Sequence, residues 1–71
     1  MTKIDIRKKF GRRLKKIRKE LKLSQDELAK KSDLHRTYIG SIERGDQNIS
    51  LENVYKLAKA LKMNLKDLVD F

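Results

Sequence analysis

This 71-residue chain has no cysteine and only one histidine, and these shortages limit what it can be. Without cysteine it has no disulfide framework of the kind that holds small secreted domains together. It also lacks a cluster of cysteine and histidine ligands, so the sequence predicts no metal site. No catalytic constellation is evident. We therefore expect a protein that is not an enzyme and needs no cofactor or small-molecule ligand.

Long apolar runs are missing as well. No run approaches the ~20 residues that span a bilayer, and the first residues lack the apolar stretch of a signal peptide. We therefore expect a cytoplasmic protein with no membrane partner. The chain has no repeats, low-complexity tracts or linker, which predicts one domain over residues 1–71. This length is near the lower limit for a single core without metals or disulfides.

The net charge of +9 is confined to the start of the chain. Residues 1–22 contain eleven Lys or Arg residues and two acidic residues, whereas the remainder contains eight of each sign. The basic residues surround an apolar stripe with helical spacing. This stripe consists of Ile6, Phe10, Leu14, Ile17 and Leu21. The pattern predicts a first helix with one core face and a strongly basic outer surface.

Such a helix could bind DNA phosphates, lie on an anionic membrane or simply be solvated. Membrane binding would require the apolar stripe to be free. A chain this short needs the same stripe for its core, so we disfavour the membrane. The other two environments remain open from the helix alone.

The segment LSQDELAKKSDLHRTYIGSIERG, from Leu23 to Gly45, predicts two short amphipathic helices joined by a tight turn. Ser24 and Glu27 have the spacing of a capping box, which begins the first of these helices. Ser32 and Asp33 favour a turn, because their side chains bond to nearby backbone groups. The residues expected to face the core here are Leu28, Ala29 and Leu34. This arrangement can deliver a helix to the major groove of DNA.

The second of these helices is predicted from about His35 to Arg44, and Gly45 can end it in a left-handed conformation. At 100° per residue, one narrow arc forms the core face and the opposite side is polar. The predicted core arc contains His35, Ile39 and Ile42. The predicted opposite side contains Thr37, Ser41 and Arg44, flanked by Arg36 and Gly40. This small polar surface suits base edges and phosphates, although an ordinary solvated face is the alternative.

Two further helices complete the predicted domain. Ser50 caps a helix that runs to about Leu61, and Asn64 can cap a short final helix. The inward residues of the longer helix are Leu51, Val54, Leu57, Ala58 and Leu61, with Tyr55 near the edge. The short helix carries Leu65, Leu68, Val69 and Phe71. These four either form a dimer interface or close the bottom of the core.

The whole chain resembles the helix-turn-helix family of lambda repressor and Cro. The resemblance is carried by LSQDELAKKSDL, by the inward isoleucines, by the IERG ending of the third helix and by SLENVYKLAKAL. It implies an all-α, five-helix DNA-binding domain. Within that family, HRTYIGSIERGDQNISLENVYKLAKAL resembles the small controller proteins of restriction-modification systems, which regulate transcription as dimers.

The resemblance also implies roles for individual residues. The base-reading positions are Arg36, Thr37 and Ser41, and the positions that touch the DNA backbone are Gln25, Asn48 and Ser50. Arg18 and Glu43 match an ion pair that ties the first helix to the third. Gly40 departs from the family pattern, since many relatives carry a larger polar residue there. A base contact is therefore lost at this position.

The hydrogen-bonding groups of the DNA bases predict a different contact for each of these residues. Arg36 can donate two hydrogen bonds to guanine O6 and N7, which is the commonest specific contact. Thr37 can offer its methyl group to thymine or its hydroxyl to a base or phosphate, and Ser41 can bond to several bases with little selectivity. We expect Arg44 to bind phosphate.

Two aromatic residues have alternative roles. The Tyr38 hydroxyl can bond to phosphate, or Tyr38 can be a rim residue packed on the second helix. His35 can cap the third helix or touch the DNA backbone.

Three functions remain open at this stage. The first is a dimeric transcriptional regulator that binds double-stranded DNA in a sequence-specific manner. The second is the N-terminal recognition domain of a larger enzyme such as a DNA methyltransferase. The third is an antitoxin-like module whose main partner is a protein. We favour the homodimeric regulator, because one reading helix makes too few base contacts to select an operator.

Overall fold

The computed structural model describes residues 5–71, and within this range it contains five α-helices and no strand. The helices are α1 (Ile6–Glu20), α2 (Gln25–Ser32), α3 (Arg36–Glu43), α4 (Leu51–Ala60) and α5 (Leu65–Leu68). The all-α, five-helix prediction is confirmed. None of these helices is long and apolar enough to cross a membrane.

The helices begin at the polar residues that the sequence indicates. The Oγ of Ser24 accepts the Glu27 backbone N–H at 3.0 Å, and the Glu27 carboxylate accepts the Ser24 backbone N–H at 2.8 Å, which completes a capping box. Ser50 caps α4 by accepting the Asn53 backbone N–H at 3.1 Å. Asn64 stands at the N-cap of α5 but makes no side-chain hydrogen bond there, so its predicted position is right and its capping bond is absent.

α2 and α3 are each followed by a left-handed residue where the chain turns sharply. Asp33 has φ 58° after α2, and Gly45 has φ 82° after α3. The glycine at position 45 is also required by close packing, because a Cβ there would lie 3.0 Å from the Cα of Lys8 in α1. The predicted role of Gly45 at the end of the third helix is therefore confirmed.

One core is built from faces of all five helices. Its members are Phe10, Leu14, Ile17, Leu28, Ala29, Ile39, Ile42, Val54, Leu57, Ala58, Leu61 and Leu68. α3 packs against both α1 and α2, and α4 packs against both α2 and α5. Arg13 adds a polar tie, because its Nη2 donates to the Asp67 carbonyl at 2.6 Å and so links α1 to α5.

Four residues assigned to core faces are exposed instead. Ile6 and Leu21 lie at the two ends of the predicted stripe, and Leu51, which is 73% exposed, is the first residue of α4. His35 is the N-cap of α3, where its Nδ1 accepts the Thr37 N–H at 3.0 Å. Each of these residues stands at a helix terminus, where helical periodicity continues but the packed neighbours do not.

α1 crosses the end of α3 with backbone in contact. A Cβ at Gly11 would lie 2.8 Å from the Glu43 carbonyl oxygen and would also meet the Ile42 carbonyl oxygen. Real Cβ atoms do not approach backbone this closely, so only glycine fits at this crossing. This crossing brings Arg18 of α1 within reach of α3.

Candidate nucleic-acid interface

α2, a three-residue turn and α3 form a helix-turn-helix unit. The turn is closed by the Leu34 N–H, which donates to the Ala29 carbonyl at 3.1 Å, and the Leu34 side chain packs against the core. The buried Ser32 hydroxyl donates to the Leu28 carbonyl at 2.7 Å. These contacts satisfy the polar groups at the turn and fix α3 relative to α2.

Arg36 and Thr37 are exposed in the first turn of α3, as predicted for residues that read bases. The Nε of Arg36 lies 3.2 Å from Oδ1 of Asp26, and both side chains are mostly exposed. An exposed ion pair of this kind contributes little free energy. The guanidinium can therefore leave Asp26 for a guanine at small cost.

Ser41 does not project from α3 as predicted. It is only 7% exposed, and its hydroxyl donates to the Tyr38 carbonyl at 2.7 Å. The Ser41 carbonyl accepts the Asp46 N–H at 2.9 Å, a backbone bond that closes the C-terminal end of α3. The hydroxyl proton is used within the helix, so a base contact by Ser41 would have to use the oxygen as an acceptor.

Tyr38 is half-buried and packs against the core. Its hydroxyl accepts a hydrogen bond of 3.1 Å from Nδ2 of Asn53, so its polar partner is in α4 and not in α2. The phenolic proton remains available, because a tyrosine hydroxyl can accept and donate at once. The predicted phosphate contact is compatible with this orientation.

Arg44 and Gln25 occupy the space beside Gly40. A Cβ at Gly40 would lie 3.4 Å from Nη1 of Arg44 and 3.6 Å from Oε1 of Gln25. Arg44 itself pairs with Asp46, with 3.0 Å between Nε and Oδ2, at an exposed position. The long polar side chains of Gln25 and Arg44 thus lie within contact distance of the place that a side chain at position 40 would occupy.

The predicted ion pair of Arg18 and Glu43 is present and has bidentate geometry. Nε of Arg18 lies 2.7 Å from Oε2 of Glu43, and Nη2 lies 2.9 Å from Oε1. The side chains are only 9% and 4% exposed, and Nη1 of Arg18 also donates to the Leu23 carbonyl at 2.8 Å. The hydrogen bonds to Glu43 raise the pKa of Arg18, despite the opposing effect of desolvation.

Gln25 makes a contact that sequence reasoning missed. Its Nε2 donates to Oε1 of Glu43 at 3.1 Å, so one carboxylate joins α1, α2 and α3. The two residues are 18 positions apart, and no local pattern pairs the first residue of α2 with the last residue of α3. Only the folded arrangement reveals this contact.

The remaining predicted backbone-contact residues, Asn48 and Ser50, precede α4. Asn48 is exposed, and the Ser50 hydroxyl is engaged as the N-cap. Free backbone amides and the helix dipole favour an anion near a helix N-terminus. Phosphate contacts at these two positions therefore remain a prediction.

Leu68 cannot belong to an exposed dimer interface, because it is fully buried in the core. Among the other predicted interface residues, Val69 and Phe71 are 43% and 47% exposed, while Leu65 is half-buried against the core. The Phe71 ring lies 6.5 Å from the Phe10 ring, so it also closes one edge of the core. A groove of about 430 Å³ lies beside Val69 and Phe71.

Metal ligation finds no support in residues 5–71, which contain no cluster of three or more His, Cys, Asp or Glu side chains that could hold an ion. The basic surface is different. Outward-facing residues of α1 remain exposed, including Lys8, Lys9, Arg12, Lys15, Lys16 and Lys19. The outer face of α1 is therefore suited to anions and not to cations.

Three relatives resemble this chain along most of its length. Control protein C.BamHI of Bacillus amyloliquefaciens is 50% identical over 94% of this chain and 84% of its own. Control protein C.MunI of a Mycoplasma species is 48% identical over 90% of this chain and 88% of its own. The crystal structure of the restriction-modification controller protein C.AhdI from Aeromonas hydrophila superposes with a TM-score of 0.86, at 47% identity, over 87% of this chain and 94% of that one.

The sequence pattern of the helix-turn-helix family matches residues 14–68. This range includes the capped α2, the turn at Asp33, the whole of α3 and the carboxylate that joins three helices. The resemblance seen in the sequence thus coincides with the fold and with its close structural relative. This chain belongs to the helix-turn-helix family.

Proposed function

We propose that this chain is a dimeric transcriptional regulator of the restriction-modification controller type, which binds double-stranded DNA through α3. The observation that carries the proposal is the exposure of Arg36 and Thr37 on a helix held rigidly by the Glu43 carboxylate. Arg36 reads guanine in the major groove and Thr37 reads a neighbouring base. Gln25, Tyr38, Arg44, Asn48 and Ser50 hold the DNA backbone.

The relatives favour this function over the two alternatives. Control proteins match along most of both chains, as expected if the domain acts in regulation and not as part of a methyltransferase. An antitoxin-like module would need a protein partner as its main ligand. The polar character of the α3 surface fits base edges and phosphates better.

A second copy of the chain is the proposed protein partner. One domain presents one reading helix, and two-fold pairing places two such helices in successive major grooves. The proposed interface is centred on Val69 and Phe71, with Leu65 at its edge. Leu68 is not part of it, because this residue is buried in the core. Ile6 borders the same groove and extends its apolar surface.

The test is selection of bound duplexes from a random pool, followed by affinity measurements on the selected site and on an unrelated duplex. We expect Arg36→Ala to reduce preference for one base pair, at ~1–3 kcal/mol, while binding to the unrelated duplex changes little. Lys16→Ala removes the same charge and should weaken both duplexes equally. Equal losses from both variants, or a pool that yields no preferred site, would contradict the proposal.

A further inference from the structure

Glu43 holds more than the ion pair that the family resemblance implies. Its carboxylate accepts from Nε and Nη2 of Arg18 at 2.7 and 2.9 Å, and from Nε2 of Gln25 at 3.1 Å. The Glu43 side chain is 4% exposed, so these protein donors replace nearly all of its water. Its oxygen Oε1 is shared between Arg18 in α1 and Gln25 in α2.

This contact fixes which end of the Gln25 carboxamide faces the protein. An ionised carboxylate can only accept hydrogen bonds, so the amide must turn its nitrogen toward Glu43. One N–H of Nε2 is then used, and the second N–H remains free. A phosphate oxygen, which is also only an acceptor, requires such a free donor.

The charge of the pair is compatible with a phosphate nearby. An unpaired carboxylate would repel the DNA backbone, but the bidentate contact with Arg18 compensates the negative charge of Glu43. Charge compensation by Arg18 and orientation of Gln25 therefore depend on the same carboxylate.

Gly40 provides room for this arrangement. A Cβ at this position would lie 3.6 and 3.8 Å from the two polar atoms of the Gln25 amide. The amide thus lies beside Gly40 of α3, within hydrogen-bond distance of the Glu43 carboxylate. A larger side chain at position 40 would compete with Gln25 for this space.

We propose that Glu43 is a positioning residue for DNA binding, which orients the Gln25 carboxamide so that its free N–H meets a phosphate. This inference rests on the proposed function. In this proposal the buried ion pair contributes to DNA binding and also joins α1 to α3. Gln25 is the residue that touches DNA, and Glu43 acts through it.

A thermodynamic cycle on duplex affinity tests the coupling. Gln25→Ala is measured in the native chain and in an Arg18→Met/Glu43→Leu background, which replaces the ion pair by apolar groups and leaves no stranded charge. We expect a loss of about tenfold in the native chain, as for a hydrogen bond to a charged group, and less than about twofold in the background. Lys16→Ala is the control, because Lys16 is an exposed residue of α1 with no contact to Glu43, and its loss should be equal in both backgrounds. A tenfold loss from Gln25→Ala in both backgrounds would overturn the inference.

Side-chain amide NMR gives a second measurement that needs no DNA. The Gln25 carboxamide of the free native chain should be as ordered as the backbone, and it should become mobile in the Arg18→Met/Glu43→Leu variant, whose folding the backbone spectrum verifies. An amide that stays ordered in the variant overturns the inference even if the native chain binds DNA tightly. Failure of the native chain to bind any duplex, with the amide ordered through Glu43, instead overturns the proposed function.

Discussion

Gly11 and Gly40 lie on packed helices, but a methyl group at each position would meet different atoms. At Gly11 it would strike the carbonyls of Ile42 and Glu43, which cannot move without shifting α3. At Gly40 it would meet only the ends of two side chains, at 3.4 Å or more. We expect Gly11→Ala to destabilise the fold by ~1–3 kcal/mol, and Gly40→Ala to stabilise it by up to ~1 kcal/mol through helix propensity. Urea unfolding measures both, and a shift of the two midpoints in the same direction would contradict this account.

Side-chain roles were predictable where a resemblance or a local pattern specified them. The pairing of Arg18 with Glu43 followed from the family, and the geometry of the pair agrees with it. The contact of Gln25 with Glu43 depends on how three helices meet, and no spacing in the sequence encodes that. Ser41 was misplaced because the angular position of a residue on a helix does not reveal that the fold buries it or that its hydroxyl bonds back to the helix.

We expect α2 to be sensitive to acid because of its capping box. The pKa of Glu27 lies below its usual value of 4.5, mainly because its carboxylate accepts a hydrogen bond from the Ser24 backbone N–H. Hydrogen bonding with the Ser24 side chain lowers it further. The ionised form therefore stabilises the folded state above that value, and this contribution is lost as the pH falls through the lower folded-state pKa.

Substitutions of Ser24 and Glu27 test the two halves of the capping box separately. Ser24→Ala should cost ~1 kcal/mol at neutral pH, because the Glu27 backbone N–H loses its acceptor. Glu27→Gln keeps a capping side chain and should remove part of the acid dependence below pH 4.5. Chemical unfolding between pH 3 and 7 checks both. An unchanged pH profile in Glu27→Gln would show that the carboxylate contributes nothing to α2.

Element boundaries were predicted well and element faces less well, for one physical reason. Caps are local, so Ser24 and Ser50 identify helix starts from a few residues of sequence. Burial, by contrast, requires a neighbouring helix to cover the residue. Ile6 and Leu51 lie at the first residues of their helices and are exposed. Periodicity therefore assigned these two residues to faces where no partner helix covers them.

At the scale of the whole molecule, we expect two chains to associate as a dimer. Val69→Lys places a charge on the proposed interface and should convert a dimer into a monomer with weaker operator binding. Leu51→Lys is the matched control, since Leu51 is more exposed but does not border the groove. Leu68→Lys is unsuitable, because it would bury a charge in the core.

Sedimentation at micromolar concentration measures the result, and the selected operator should be an approximate palindrome with half-sites about 34 Å apart. A native chain that sediments as a monomer and binds an unrepeated site would rule out the dimer. If Val69→Lys dissociated the dimer no more than Leu51→Lys does, the interface would not be centred on Val69.

Gly11 lets the backbone of α1 touch the end of α3, the helix proposed to read DNA. With no side chain between α1 and the last carbonyls of α3, the two helices pack backbone against backbone, at a separation too small for any Cβ at position 11. We therefore expect α3 and the basic α1 to approach DNA as one preorganised body. We expect little conformational entropy to be lost from this part of the protein on binding, so that more of the free energy of the DNA contacts is retained as affinity.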